Sequence, residues 1–198
     1  MRLVLASASP RRARLLAEAG FAFDVAPANV DERRLAGEPP VAYVRRLAGA
    51  KAGAVASRYP GRVVVGADTV VIIDGLVLGK PEDAAEAAAM LGRLAGRRHA
   101  VLTGVALLRD ARSVDAVERT EVTVTPLDAD RIRWYVGTGE PDDKAGAYAA
   151  QGIGSRFIER IEGSYTNVVG LPIPRVVRLL ELLDGCAPPG GPAVARPR

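Results

Sequence analysis

One cysteine and one histidine stand in a chain of 198 residues, and aromatic residues make up only 5% of it. A single cysteine, Cys186, permits no intrachain disulfide, which fits a reducing cytoplasm. A single histidine, His99, excludes a histidine-rich metal site and a histidine-based nucleophile relay. Its expected role is to cap or pack a strand. No apolar stretch approaches the roughly 20 residues of a membrane span, and the N-terminal apolar run of about five is too short for an export signal. The net charge is +4, but Arg196 and Arg198 lie in a tail without acids, which leaves the body at +2. With so few aromatics, that balance offers no basic face for nucleic acid, and no nucleic-acid partner is expected. The phosphate loop GxxxxGK[ST], the dinucleotide fingerprint GxGxxG and the GxSxG elbow are all missing.

What is present has the make-up of a folded chain: 48% apolar and 25% charged residues. Leu3 to Ala6 is a short apolar stretch, and Ala13 to Ala19 has helix-forming composition. Between them lies Ser7-Ala8-Ser9-Pro10-Arg11-Arg12. Ser9 is a natural N-cap, and Pro10 falls at the first helical position, where its missing N–H costs nothing. Arg11 and Arg12 then oppose the helix dipole, which calls for an anion between them, a phosphate above all. The plainer alternative is a cap followed by two solvated arginines.

Further along, Phe21 to Ala26 reads as a strand, and Asn29 to Glu32 as a polar loop carrying the neighbouring carboxylates Asp31 and Glu32. Pro39 and Pro40 open a helix to about Ser57, with Val41, Val44, Leu47 and Ala48 at helical spacing and Lys51 among small residues. Arg62 to Asp68 reads as a buried strand that ends in Gly66-Ala67-Asp68-Thr69. A carboxylate at such a strand end is costly unless cations or a metal pair with it. Ligands of open α/β sheets gather at strand ends. Asp74-Gly75 marks a hairpin, after which Gly79-Lys80-Pro81 carries a lysine back toward Asp68. Glu82 to Leu94 reads as a helix with Ala85, Ala88, Ala89, Leu91 and Leu94 at helical spacing. Arg98 to Arg109 and Ser113 to Pro126 read as long strands, and Asp128 to Val136 as a capped helix. Gly139 to Gly152 reads as a mobile or ligand-facing loop, Arg156 to Ile161 as a strand, Gly163 to Pro172 as a second loop, and Ile173 to Leu183 as the closing helix.

Cations Arg11, Arg12, Lys51 and Lys80 with carboxylates Glu32 and Asp68 are the ingredients of metal-assisted phosphoryl hydrolysis. A divalent ion such as Mg²⁺ needs only one or two carboxylates plus substrate oxygens.

In that order the pieces resemble the Maf family of nucleoside triphosphate pyrophosphatases, also called septum-formation inhibitor proteins. The match runs over about residues 1–184: Ser7 to Arg12, the Asp31-Glu32 loop, Lys51, Gly66 to Val70, Gly79-Lys80-Pro81, Glu140-Pro141 through Gln151-Gly152, and Gly163-Ser164-Tyr165 through Gly170-Leu171-Pro172. The resemblance implies cleavage of a nucleoside triphosphate between its α- and β-phosphates, with a divalent cation, Mg²⁺ or Mn²⁺. It implies Asp68 as the catalytic base, although Asp68 suits a metal ligand equally well. Glu32 is the second acidic position, and Ser7, Ser9, Arg12, Lys51 and Lys80 hold phosphates. It also implies a cytoplasmic homodimer and a link to cell division.

The resemblance extends to a branch. One branch acts on dTTP and UTP, a sister branch on 7-methyl-GTP. In the sister branch, an aromatic residue matches Arg11, a glutamine matches Thr69 and an acid matches Gln151, so these three residues and Asp143 to Tyr148 follow the pyrimidine branch. Gln151 offers a donor and an acceptor to the imide edge of uracil or thymine. An arginine repels a positively charged methylated guanine. Ala149-Ala150 departs from the Gly-Ile pair that often precedes the glutamine. The fold expected is α/β: one domain over 1–185 with an elongated, twisted, mixed sheet, flanking helices and two lobes around a central cleft. The tail 186–198 is expected to be disordered.

Overall fold

A computed structural model describes residues 1–185; the expectation for the tail falls outside the described residues. A strand, β1 (Arg2–Leu5), leads into helix α1 (Pro10–Glu18) and a second strand, β2 (Ala22–Val25). Helix α2 (Pro40–Ala56) follows, then β3 (Val64–Ile73), β4 (Leu76–Leu78), α3 (Ala84–Leu94), β5 (Arg98–Arg109) and β6 (Arg112–Val124). After α4 (Ala129–Val136), short 3₁₀ turns carry the chain to β7 (Ile158–Glu162), α5 (Tyr165–Val169) and α6 (Ile173–Asp184).

The seven strands form one mixed sheet in the order β2-β1-β3-β5-β6-β7, with β4 paired to β3. β1 runs parallel to both β2 and β3, and every other pairing is antiparallel. β5 follows one edge of β3 from Val64 to Ile72. The opposite edge is shared: β1 takes Val64 and Val65, β4 takes Val71 to Ile73. Gly66 to Val70 therefore have no strand beside them on that edge, which leaves a gap between β1 and β4.

Alternation along β3 decides what lies on each face. Val65, Ala67, Val71 and Ile73 point to one side. There Val65 and Ala67 join a core under α1 and α6, with Leu15, Leu16, Val176 and Leu183. Val71 and Ile73 join a second core with Met90, Leu91, Tyr135 and Phe157. Val64 and Val70 point to the other side and pack beneath α2, with Ala48, Ala52 and Val44. Two apolar masses thus sit at the two ends of β3, with the gap in its edge between them.

Local chemistry explains most of the element boundaries. Asp83 caps α3 by accepting from Glu86 N–H at 2.8 Å, while Glu86 reaches back to Glu82 N–H. Asp128 caps α4 by accepting from Arg131 N–H. Among the described residues no helix is long and apolar enough to cross a membrane.

The structure corrects several expectations. β3 does not end at Asp68 but runs through it, because β5 pairs with it on both sides of that residue. The inward face of α3 is Ala87, Met90, Leu91 and Leu94, whereas Ala85 and Ala89 are exposed. Val41 is exposed at the start of α2. The stretch from Gly139 to Gly152 is packed rather than mobile: Ala147, Tyr148 and Ala149 are buried, and Gly146 N–H donates to Gly79 C=O. Its small residues permit close docking on β3, where Gly146 leaves no room for a side chain beside Val71. Within the second expected loop, α5 forms despite its β-branched residues, because Ser164 caps it and buried Asn167 ties it to the sheet.

Candidate active site

Lys51 is the first surprise. A helix lysine is ordinarily solvated, yet this one is 7% exposed, and its Nζ lies 2.7 Å from Asp68 Oδ1 and 2.8 Å from a Glu32 oxygen. Two glycines make this approach possible. A Cβ on Gly66 would fall 2.2 Å from Ala48 C=O, and one on Gly104 would fall 2.2 Å from Val44 C=O. α2 therefore rests on bare backbone, with Lys51 close above Asp68. A glycine inside a strand signals close backbone approach, and Gly104 was legible in that sense although it carries no chemistry of its own.

Asp68 is 7% exposed. Burial pushes its carboxyl above the ordinary aspartate range, against the pull of Lys51 and, further off, Arg12. Glu32 reaches Lys51 from the loop before α2. That loop is pinned by residues that no motif singles out. Arg46 holds the Glu38 carboxylate at 2.7 and 2.8 Å and keeps its pKa down to about 2, while Tyr43 donates to Glu32 C=O. Asp31, the neighbour of Glu32, faces away and pairs with Arg33.

On the other face of β3, Arg12 is held by neutral acceptors. Its Nε donates to Gly170 C=O at 2.8 Å, and its two terminal nitrogens donate to Ser7 Oγ at 3.2 Å and Thr69 Oγ1 at 3.0 Å. Thr69 is fixed in turn by Thr103 at 2.9 Å. Burial presses the guanidinium below its ordinary pKa, opposed by Asp68. A partly buried guanidinium tied only to neutral oxygens keeps its charge available to an anion. Ser9 acts as the helix cap by accepting from Arg12 N–H. Arg11 points elsewhere: it bonds the carboxylate of Asp143 at 2.8 Å and its backbone C=O at 3.1 Å, bridging α1 to the 3₁₀ segment.

One cleft gathers these groups. Ser7, Ser9, Arg11, Arg12, Glu32, Lys51, Asp68, Thr69, Lys80 and Gln151 all line it. The structure thus brings together every residue singled out for the site. It adds Tyr43, Lys144 and Tyr148 to the lining, of which Tyr148 rests on buried His99 through a 2.8 Å hydrogen bond.

The description "Maf-like protein" belongs to the family model that matches residues 2–183. This chain is a member of the Maf family. Its relatives include the dTTP/UTP pyrophosphatase of Symbiobacterium thermophilum, 55% identical over 90% of this chain and 92% of that protein. The protein of the same description from Anaeromyxobacter dehalogenans strain 2CP-C is 55% identical over 91% and 93%. That of Koribacter versatilis is 52% identical over 91% and 94%. Among solved structures, the Staphylococcus aureus Ham1 protein aligns at a TM-score of 0.47 with 14% identity, over 93% of this chain and 99% of that one. That likeness is too slight to decide anything about the site.

The donor set of this Maf-family cleft suits a hard divalent cation. Glu32 and Asp68 each give one carboxylate oxygen to Lys51 Nζ, which leaves the second oxygen of each for a cation whose remaining ligands, for Mg²⁺ or Mn²⁺, are ordinarily water and phosphate. Among the described residues no cluster of three or more His, Cys, Asp or Glu offers an all-protein cage.

Proposed function

We propose that this Maf-family chain hydrolyses dTTP and UTP, and modified pyrimidine nucleotides of the same shape, between the α- and β-phosphates to the monophosphate and pyrophosphate. The observation that carries this reading is the cleft itself. A carboxylate pair held by Lys51 lies on one face of β3, a partly buried guanidinium lies on the other, and the open edge of the strand lies between them. The names borne by relatives more than 50% identical over nine-tenths of the chain support the choice of pyrimidine triphosphates.

Arg12, Lys51 and Lys80 bind the triphosphate and offset the negative charge that grows on the departing pyrophosphate. Asp68 uses Oδ1 for Lys51; among the described residues no donor reaches Oδ2, which is left to take a proton from the attacking water. Its raised pKa brings it closer to the working range of a general base. The water oxygen joins the α-phosphorus, the bond from that phosphorus to the bridging oxygen breaks, and the pyrophosphate leaves with the electron pair. A divalent cation held by Glu32 would supply positive charge at the phosphates and make water more acidic; Asp68 Oδ2 as a second ligand of that cation is the alternative to its role as base. Gln151 faces the base.

The test is pyrophosphate release from dTTP, UTP and 7-methyl-GTP, with and without Mg²⁺ or Mn²⁺, for the parent and Asp68→Ala. Cation-dependent turnover of dTTP and UTP that Asp68→Ala abolishes is the expected result. A parent that turns over no triphosphate, and so only binds nucleotides, overturns the enzyme reading. Preference for 7-methyl-GTP overturns the choice of base.

A further inference from the structure

Gln151 lines the cleft, yet among the described residues nothing hydrogen-bonds its side chain. What fixes it lies behind it. Glu140, half-buried at the start of a 3₁₀ turn, accepts from Ile153 N–H at 2.9 Å through Oε1. Its Oε2 accepts from Gly154 N–H at 2.7 Å and from Tyr135 O–H at 2.8 Å. The Tyr135 oxygen accepts in turn from Ala149 N–H at 3.2 Å. One carboxylate and one phenol thus secure the backbone on both sides of Ala150-Gln151-Gly152. The fit leaves no slack: a Cβ on Gly152 would fall 2.2 Å from Glu140 Oε1, and one on Gly154 would fall 2.5 Å from Tyr135 Oη. Gly152 also holds a left-handed φ of +76°.

We propose that Glu140, with Tyr135, is the positioning pair that sets where Gln151 meets the base, so that pyrimidine selectivity depends on a carboxylate on the far side of the loop from the cleft. The proposal rests on the reading of the cleft as a pyrimidine triphosphate site. The charge matters as well as the shape. Three donors converge on two carboxylate oxygens, and an amide could accept on one side only while turning its NH₂ against an N–H on the other. Lys144 adds a tie from its Nζ to Glu140 C=O at 3.0 Å, which fixes the backbone of Glu140 independently of its side chain. The Glu140 carboxylate reaches no phosphate-binding residue among the described bonds, so phosphate binding and the Asp68 chemistry stay intact when it is altered.

The experiment measures kcat and KM of the parent, Glu140→Gln, Gln151→Ala and the double variant on dTTP, UTP and a purine triphosphate such as dATP. Glu140→Gln is expected to lower kcat/KM for the pyrimidine substrates by about 10- to 100-fold, as a misplaced contact group does, and to change dATP turnover by less than about twofold. Because Glu140 acts through Gln151, the double variant should be no worse than Gln151→Ala on dTTP. An equal fractional loss on dTTP and dATP, or full additivity in the double variant, overturns the proposal and makes Glu140 purely structural. If Glu140→Gln does not fold, Tyr135→Phe carries the test, since it removes one donor to the carboxylate and the acceptor for Ala149. Unchanged pyrimidine selectivity in Tyr135→Phe then overturns the proposal. Failure of the pyrimidine reading shows separately, as a parent without preference for dTTP and UTP over dATP.

Discussion

Gly104 is the direct ladder partner of Asp68, and helix α2 lies so close above both that a methyl group on Gly104 would fall 2.2 Å from Val44 C=O. The reach of Lys51 depends on this closeness, because α2 sits as low over β5 as it does over β3. Gly104→Ala should lift α2 and lengthen the 2.7 Å contact of Lys51 with Asp68. Overpacking of this kind costs about 1–3 kcal/mol, measurable by urea denaturation. Turnover of dTTP should fall much further than stability does, under conditions where the variant is fully folded. A folded variant with parental kcat would show that the height of α2 does not set the geometry of Asp68.

The sheet and most of the helices could be read from residue patterns, because apolar alternation and Ser, Asp and Pro caps act locally. The site residues could be read as types but not as a geometry. Lys51 was legible as a site cation but not as a buried one, because burial of a lysine depends on two glycines in strands far away in sequence. Asp68 looked like a strand end because Gly66-Ala67-Asp68-Thr69 breaks the apolar run, yet the continuous partner β5 carries the strand through it. The Gly139–Gly152 stretch read as a mobile or ligand-facing loop; it lines the cleft, but its packing was hidden because its small residues have little burial of their own. Its order comes from Glu140, Tyr135 and His99, each acting across the fold.

Arg12 and Arg11 are adjacent in sequence but separate in their contacts. Arg12 donates in three directions, to Gly170, Ser7 and Thr69. A lysine keeps the charge but cannot present that planar fork. Arg12→Lys should therefore lower kcat/KM by about 10- to 100-fold for dTTP, UTP and any other triphosphate alike, since hydrogen bonds to a charged group are worth about 1.5–3 kcal/mol each. Steady-state kinetics on a pyrimidine and a purine substrate check it. A loss confined to pyrimidines would move Arg12 from phosphate binding to base reading.

Arg11 is committed to Asp143, in a pair that is partly solvent-exposed. Such pairs contribute about 0.2–1 kcal/mol, so Arg11→Trp should change thermal stability little. Its effect should appear in base choice: an aromatic ring attracts a methylated, positively charged guanine where an arginine repels it. The ratio of kcat/KM for 7-methyl-GTP over dTTP should rise by about tenfold, with Arg12 and Asp68 untouched. A uniform fall on both substrates would mean that Arg11 serves the phosphates after all.

His99 gives the fold a pH dependence that can be separated from catalysis. It is buried in β5, bonded through Nε2 to Tyr148, and its Nδ1 has no partner among the described residues. Burial lowers its pKa to about 4, against a small opposing effect of Glu121. An unfolded histidine titrates near 6.5. Between those values the unfolded chain binds a proton that the folded chain does not, so stability is full above about pH 6.5 and is lost progressively as the pH falls toward 4. The two pKa values are about 2.5 units apart, which makes the loss about 3 kcal/mol. His99→Gln keeps a hydrogen-bonding group for Tyr148 and has no charge to gain. Its denaturation midpoint should fall less steeply than the parent's between pH 7 and 4.5, while the carboxylates common to both proteins cancel in the difference. Parallel pH profiles would mean that His99 is protonated in the folded chain at a pH near its ordinary value, and Tyr148 would then rest on an imidazolium.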